Sequence, residues 1–197
     1  VDQLAASAVA DGSCNTRPVS SSFQALRADL RASALEDAQL PTYQRRAILA
    51  FKLVFTTRLQ AVCLLRMAQA LHRIAAPLSA PAKWLNAVIC GCDIAPQAQI
   101  GPGLCLFHPN GVVIGPGSVL GANVSLVGSA TLGRGVGGEP TLEDGVVVGP
   151  GVRMFGGLTV GRGAQVGANA VVMIDVPELH FAAGVPARVI KRMDGRD

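Results

Sequence analysis

Between Ile94 and Val172 an aliphatic residue returns at every sixth position. The series is Ile94, Ile100, Leu106, Ile114, Leu120, Leu126, Leu132, Leu142, Val148, Met154, Val160, Val166 and Val172. Ten of its twelve intervals are six; one is eight and one is ten. Glycine follows the phased residue at 101, 115, 121, 133, 149, 161 and 167. Small or aliphatic residues (Ala98, Leu104, Ser118, Val124, Ala130, Val146, Val152, Leu158, Ala164 and Ala170) recur four positions after it. A period of six excludes an amphipathic helix, whose faces repeat every 3.6 residues. It fits short flat strands joined by tight turns, each hexad pointing one aliphatic side chain inward. One such coil cannot bury its apolar face alone, so the coils must stack.

The composition agrees with a core of that kind. Half of the residues are apolar but only 4% are aromatic, so Val, Ile, Leu and Ala must fill the interior. The net charge of +4 comes from dispersed basic residues without interleaved aromatics, which argues against a nucleic-acid surface. The five cysteines, Cys14, Cys63, Cys90, Cys92 and Cys105, contain no C-x-x-C pair and read as reduced, buried thiols. No metal site is expected.

Four regions follow from the pattern. Residues 1–20 are small and polar and lack a basic start followed by an apolar core, so they read as a flexible leader. Residues 21–89 read as helical. Ser22 can cap a helix with Phe23, Leu26, Leu30 and Ala34 on one face, ending before Pro41. A longer helix is expected from Thr42 to about Ala75. Its apolar run is interrupted by Lys52, Arg58 and Arg66, which are costly at a bilayer centre. A soluble helical cap is the expectation, with shallow attachment to a membrane face as an open alternative. Pro77 and Pro81 should break the helix, leaving 83–89 as an apolar bridge with Trp84 packing the junction. Residues 90–178 are the repeat, and 179–197 a loop and tail.

Four segments carry a family likeness: Asp93-Ile94-Ala95-Pro96, Ile100-Gly101-Pro102-Gly103, Phe107 through Gly115, and Ala182 through Arg188. They resemble the hexapeptide-repeat acyltransferases, and most of all the serine acetyltransferase branch with its polysaccharide-acetylating relatives. The resemblance implies a mainly β protein, a left-handed parallel β-helix of triangular section preceded by helices. It also implies an acyl-CoA-dependent O-acetyltransferase that uses acetyl-CoA and assembles as a homotrimer with sites between subunits; the reduced thiols add the expectation of a cytoplasmic protein.

The two departures from period six, at His108–Gly111 and within Gly133–Thr141, are where loops must bulge outward. His108 is the only histidine in the repeats, and neutral imidazole can deprotonate a hydroxyl near neutral pH. Asp93 stands fifteen residues earlier, which is not one full coil of three hexads. Its pairing with His108 is therefore taken from the resemblance, in which such an Asp and His form a catalytic dyad. The donor's arm is expected by the same likeness along Gly149, Pro150, Gly151, Gly167 and Ala168. Its phosphates are expected at Arg188, Lys191 or Arg192, with an ordinary basic tail as the alternative. His180 is expected in the exit loop.

The serine enzymes carry an Asp where Phe107 stands, and an Arg-His pair where Gly138 and Glu139 stand. A zwitterion needs such charged partners, whereas a neutral hydroxyl does not. The expected acceptor is therefore a sugar or polysaccharide precursor, contacted by Phe107, Asn110 and Glu139. Glu139 is alternatively a solvated loop carboxylate. Serine O-acetylation and a non-catalytic scaffold are the other readings.

Overall fold

The computed structural model describes residues 24–29 and 56–193. Its centre is a three-sided stack of parallel strands. Each coil contributes one strand to each of three sheets, so every third strand is a hydrogen-bonded neighbour. The first sheet holds β1 (Asp93–Ile94), β4 (Val113–Ile114), β7 (Thr131–Gly133), β10 (Arg153–Phe155) and β13 (Val171–Val172). The second holds β2 (Gln99–Ile100), β5 (Val119–Leu120), β8 (Thr141–Leu142) and β11 (Thr159–Val160). The third holds β3 (Cys105–His108), β6 (Ser125–Gly128), β9 (Val147–Val148), β12 (Gln165–Val166) and β14 (His180–Gly184), with β15 (Ala187–Arg192) antiparallel at its end.

The hexad sets the register. Ile94 pairs with Ile114, Ile114 with Leu132, Leu132 with Met154 and Met154 with Val172, one aliphatic column down the first sheet. All thirteen phased residues are buried, none more than 9% exposed. The second series is buried with them, including Ser118, whose hydroxyl donates to Glu139 Oε2 at 3.2 Å. Residues 179–193 are more than the expected loop and tail. β14 continues the third sheet on β12, and β15 folds back over it.

The helical part closes the open end of the stack. α1 (Thr57–Ile74) lies inside the predicted longer helix, whose start falls outside the described residues. A 3-10 turn, Ala76–Ser79, follows, and then α2 (Ala80–Cys90). The expected apolar bridge at 83–89 is thus helix. Pro81 starts it rather than breaking a predecessor, because proline is tolerated in a first helical turn, where the N–H has no intrahelical partner. Gly91, at φ 68°, ends α2 in the left-handed region that glycine adopts without strain. Trp84 does not pack the junction as expected. It is 63% exposed, on a face of α2 shared with Val88 and Ile89. Among the described residues no helix is long and apolar enough to cross a membrane.

α1 joins the stack through polar as well as apolar contacts. Ala61, Val62 and Leu65 enter the same core as Ile94, Ile100 and Leu106. Arg66 donates from Nη1 to the carbonyl of Ile100 (2.8 Å) and from Nη2 to that of Gly101 (2.6 Å), and Gln69 Nε2 donates to Ala98 O (3.0 Å). These carbonyls belong to the first coil, whose outer edge has no further coil to pair with. Covering such an edge is how β proteins avoid unwanted strand addition. Asp29, from the helical segment 24–29, completes the closure. It accepts from Arg66 Nε at 2.8 Å and from the amides of Gly103 and Leu104 at 2.7 and 2.8 Å. Of the other residues expected in that first helix, Leu26 is half-buried, while Phe23, Leu30 and Ala34 fall outside the described residues.

The four described cysteines, Cys63, Cys90, Cys92 and Cys105, are free thiols. Burial, with Cys90 and Asp93 nearby, pushes the Cys92 thiol up to about 12. Among the described residues no three His, Cys, Asp or Glu side chains converge to hold a metal ion.

Candidate functional site

His108 ends β3, where the chain turns from the third sheet to the first. Leu106 points inward and is 1% exposed; Phe107 and His108 are exposed. One coil up, the residue paired with His108 is Gly128. A Cβ on Gly128 would lie 3.1 Å from the His108 Cβ, so glycine leaves the imidazole without a side chain stacked on it.

The turns on this edge form a continuous column. Gly111 N–H donates to Gly91 O, Ser129 N–H to Asn110 O, Gly151 N–H to Gly128 O and Asn169 N–H to Pro150 O, all between 2.8 and 3.2 Å. Asp93 belongs to its lowest step, since its N–H donates to Val112 O at 2.9 Å. His108, which ends β3 of the third sheet, and Asp93, which starts β1 of the first, therefore flank one edge. The Asp93 carboxylate meets Lys83 of α2, with Nζ 3.0 Å from Oδ1 and both side chains well exposed.

The residues expected to hold the donor lie higher on the same edge. Gly149, Pro150 and Gly151 turn between β9 and β10, and Gly167 and Ala168 follow β12 one coil above. A Cβ on Gly149 would come within 2.8 Å of the Ala168 amide nitrogen, so this approach requires glycine. Arg188 and Lys191 project from β15 and are exposed; Arg192 is half-buried. His180 opens β14, its Nδ1 2.7 Å from the Glu178 carbonyl.

The expected acceptor contacts separate. Phe107 is 40% exposed beside His108, and the guanidinium carbon of Arg58, from α1, lies 6.0 Å from its ring centroid. The Asn110 carboxamide packs against Gly91, below the bulge. Glu139 sits on a different edge, in the turn from the first sheet to the second, with its side chain only 3% exposed. Its Oε2 accepts from Gly117 N–H at 2.8 Å and from Ser118, and its Oε1 lies 3.4 Å from Arg134 Nε. The second bulge closes on itself through reciprocal bonds between Gly135 and Gly138, leaving Val136 at its tip 98% exposed. Glu139 thus caps the turn of the preceding coil. Replacing it with Ala should lower stability by about 1–3 kcal/mol, the cost of a buried group losing its partner. Thermal unfolding reads this; an unchanged melting temperature would remove the capping role.

Sequence reasoning missed three cations near this edge: Arg58, Lys83 and Arg153, whose Nη1 donates to the Ser129 and Val152 carbonyls. None belongs to the phased series, and two come from helices whose packing no hexad announces.

No profile of a known protein family matches the chain. Individual relatives do. The serine acetyltransferase of Escherichia coli K12 is 42% identical over 106 residues, 52% of this chain and 39% of that protein. Soybean serine acetyltransferase complexed with serine superposes with a TM-score of 0.75 at 36% identity, covering 86% of this chain and 70% of that one. The chain belongs to the serine acetyltransferase family. The Brucella abortus serine acetyltransferase in complex with coenzyme A has a TM-score of 0.74 at 30% identity, over 86% and 68% of the two chains.

These family members correct the expected acceptor. The curated relatives named serine acetyltransferase are 38–44% identical to this chain, and solved ones bind serine. A sugar acceptor had been inferred from departures at three positions, Phe107, Gly138 and Glu139, and that inference is overturned. The match to the curated relatives spans 32–39% of their length.

Proposed function

We propose that this protein transfers the acetyl group of acetyl-CoA to the hydroxyl of serine. The observation that carries the reading is the single edge on which His108, the Asp93 turn and the glycine turns at 149–151 and 167–168 are stacked. From the His108 coil to β14 there are four strand steps of about 4.8 Å, roughly 19 Å in all, and β15 adds a fifth. A donor that is long and thin, with a thioester at one end and phosphates at the other, suits that run. Its carbonyl would lie near His108 and its phosphates near Arg188 and Lys191, with guanidinium and ammonium groups as the matching donors.

In the reaction the imidazole of His108 takes the proton of the serine hydroxyl as that oxygen bonds to the acetyl carbonyl carbon. The tetrahedral adduct collapses, the carbon–sulfur bond breaks, and the thiolate leaves with the proton returned from the imidazolium. Asp93, on the same edge, favours the imidazolium electrostatically. Burial of the cofactor arm against backbone at Gly149 and Gly167 would hold the thioester in line, and positioning of that kind is a large part of catalysis.

The test is thiol release from acetyl-CoA, followed with a disulfide reagent, and mass spectrometry of the product with serine as acceptor. Serine-dependent release with formation of O-acetylserine is expected. Hydrolysis of acetyl-CoA at a rate indifferent to serine would sink the reading.

A further inference from the structure

We infer that the Lys83 ammonium receives the carboxylate of the acceptor, an inference that rests on the reading of serine as that acceptor. In serine the carboxylate and the hydroxyl-bearing carbon are attached to the same Cα. A cation that binds the first must therefore stand next to the base that works on the second. A carboxylate leaving water also needs a charged donor. Among the described residues the second bulge brings none to this edge. Its position 138 is glycine, and Glu139 is itself an anion, bound to the Gly117 amide and to Ser118. Arg134 lies 3.4 Å from that same carboxylate.

Lys83 meets the requirement. It belongs to α2, which leads through Gly91 into β1. Its Nζ is held 3.0 Å from Asp93 Oδ1, and Asp93 flanks the edge on which His108 ends β3. An ammonium carries three N–H donors, and Asp93 Oδ1 takes one of them. The two side chains are 41% and 58% exposed, and an ion pair so open to water is weak. An incoming carboxylate can therefore share the ammonium or draw it away from Asp93. That exchange bears on the base as well. Asp93 favours the imidazolium of His108 only to the extent that Lys83 does not already neutralise it. When the acceptor's carboxylate engages Lys83, Asp93 loses part of its counter-charge and supports the imidazolium more strongly. One ammonium thereby couples recognition of the acceptor to readiness of the base.

The experiment compares serine with serinamide, which keeps the hydroxyl and the amine but lacks the carboxylate. The readout is the ratio of their kcat/KM values, because a change in the base alone acts on both acceptors. Wild-type protein should prefer serine by about tenfold or more, the worth of one charge-assisted hydrogen bond. Lys83→Met, which keeps an apolar stem of similar length, should bring the two acceptors to within about threefold of each other, chiefly through a higher KM for serine. Lys83→Arg should keep most of the preference, and the KM for acetyl-CoA should not change in either variant. A Lys83→Met protein that retains the wild-type preference, with equal losses on both acceptors or none, overturns the inference, since Lys83 would then act only on Asp93 or on the fold. Equal use of the two acceptors by the wild type overturns it without any variant. A wild type that turns over neither acceptor refutes the proposed function itself, and the role of Lys83 falls with it.

Discussion

Replacing His108 with Ala should lower kcat for acetyl transfer by about 10²–10⁴-fold, the usual worth of a positioned general base. The loss should appear in kcat more than in either KM, because proton removal is needed only as the serine oxygen attacks. Stability should hardly move. His108 is exposed, its coil neighbour is Gly128, and its inward neighbour Leu106 supplies the packing. A substitution of that kind usually stays within about 0.5 kcal/mol. The measurement is a pair of experiments on one preparation, steady-state thiol release and thermal unfolding. Intact turnover with Ala at 108 would exclude the imidazole as the base. Asp93→Asn separates two roles for its carboxylate. If Asp93 stabilises the imidazolium, kcat falls while the fold is unaffected. If it serves only the contact with Lys83, kcat stays, and so does stability to within about 1 kcal/mol, since an exposed ion pair is worth little.

The repeat and the site were legible in the sequence to different degrees, for a physical reason. Burial of one side chain per hexad is a periodic requirement, so a column such as Ile94, Ile114, Leu132, Met154 and Val172 leaves a periodic trace. The turn glycines leave the same trace, because backbone stacked on backbone at 149 and 168 has no room for a Cβ. Side chains that meet across the helical cap follow no period. Asp29 and Arg66 are 37 residues apart, and neither position is marked by its neighbours. Pro81 starts a helix that its sequence context suggests it should break, because proline carries opposite meanings inside a helix and at its start. β15, rich in charge, has no alternation to mark it. It becomes a strand because β14 offers it an edge. The acceptor is not legible at 107 and 138 alone, because an absent charge there says nothing of the charges that other elements can bring to the site.

The largest effect on stability should come from Asp29. Its side chain is fully buried, and it meets Arg66, itself 4% exposed. Burying two ions gains little by itself, because desolvation offsets most of their attraction, but removing one strands the other. Asp29→Ala leaves the Arg66 guanidinium with three neutral acceptors and leaves the amides of Gly103 and Leu104 without theirs. Breaking a buried pair in this way costs about 3–5 kcal/mol. That is a large share of the roughly 5–15 kcal/mol by which a domain is stable. Arg66→Met should cost less, since the Asp29 carboxylate would keep two backbone donors. In the double variant the orphaned amides remain, so the loss should be smaller than the sum of the single losses without returning to zero. Urea unfolding of the three variants measures the coupling. Additive losses would mean that the two side chains act independently.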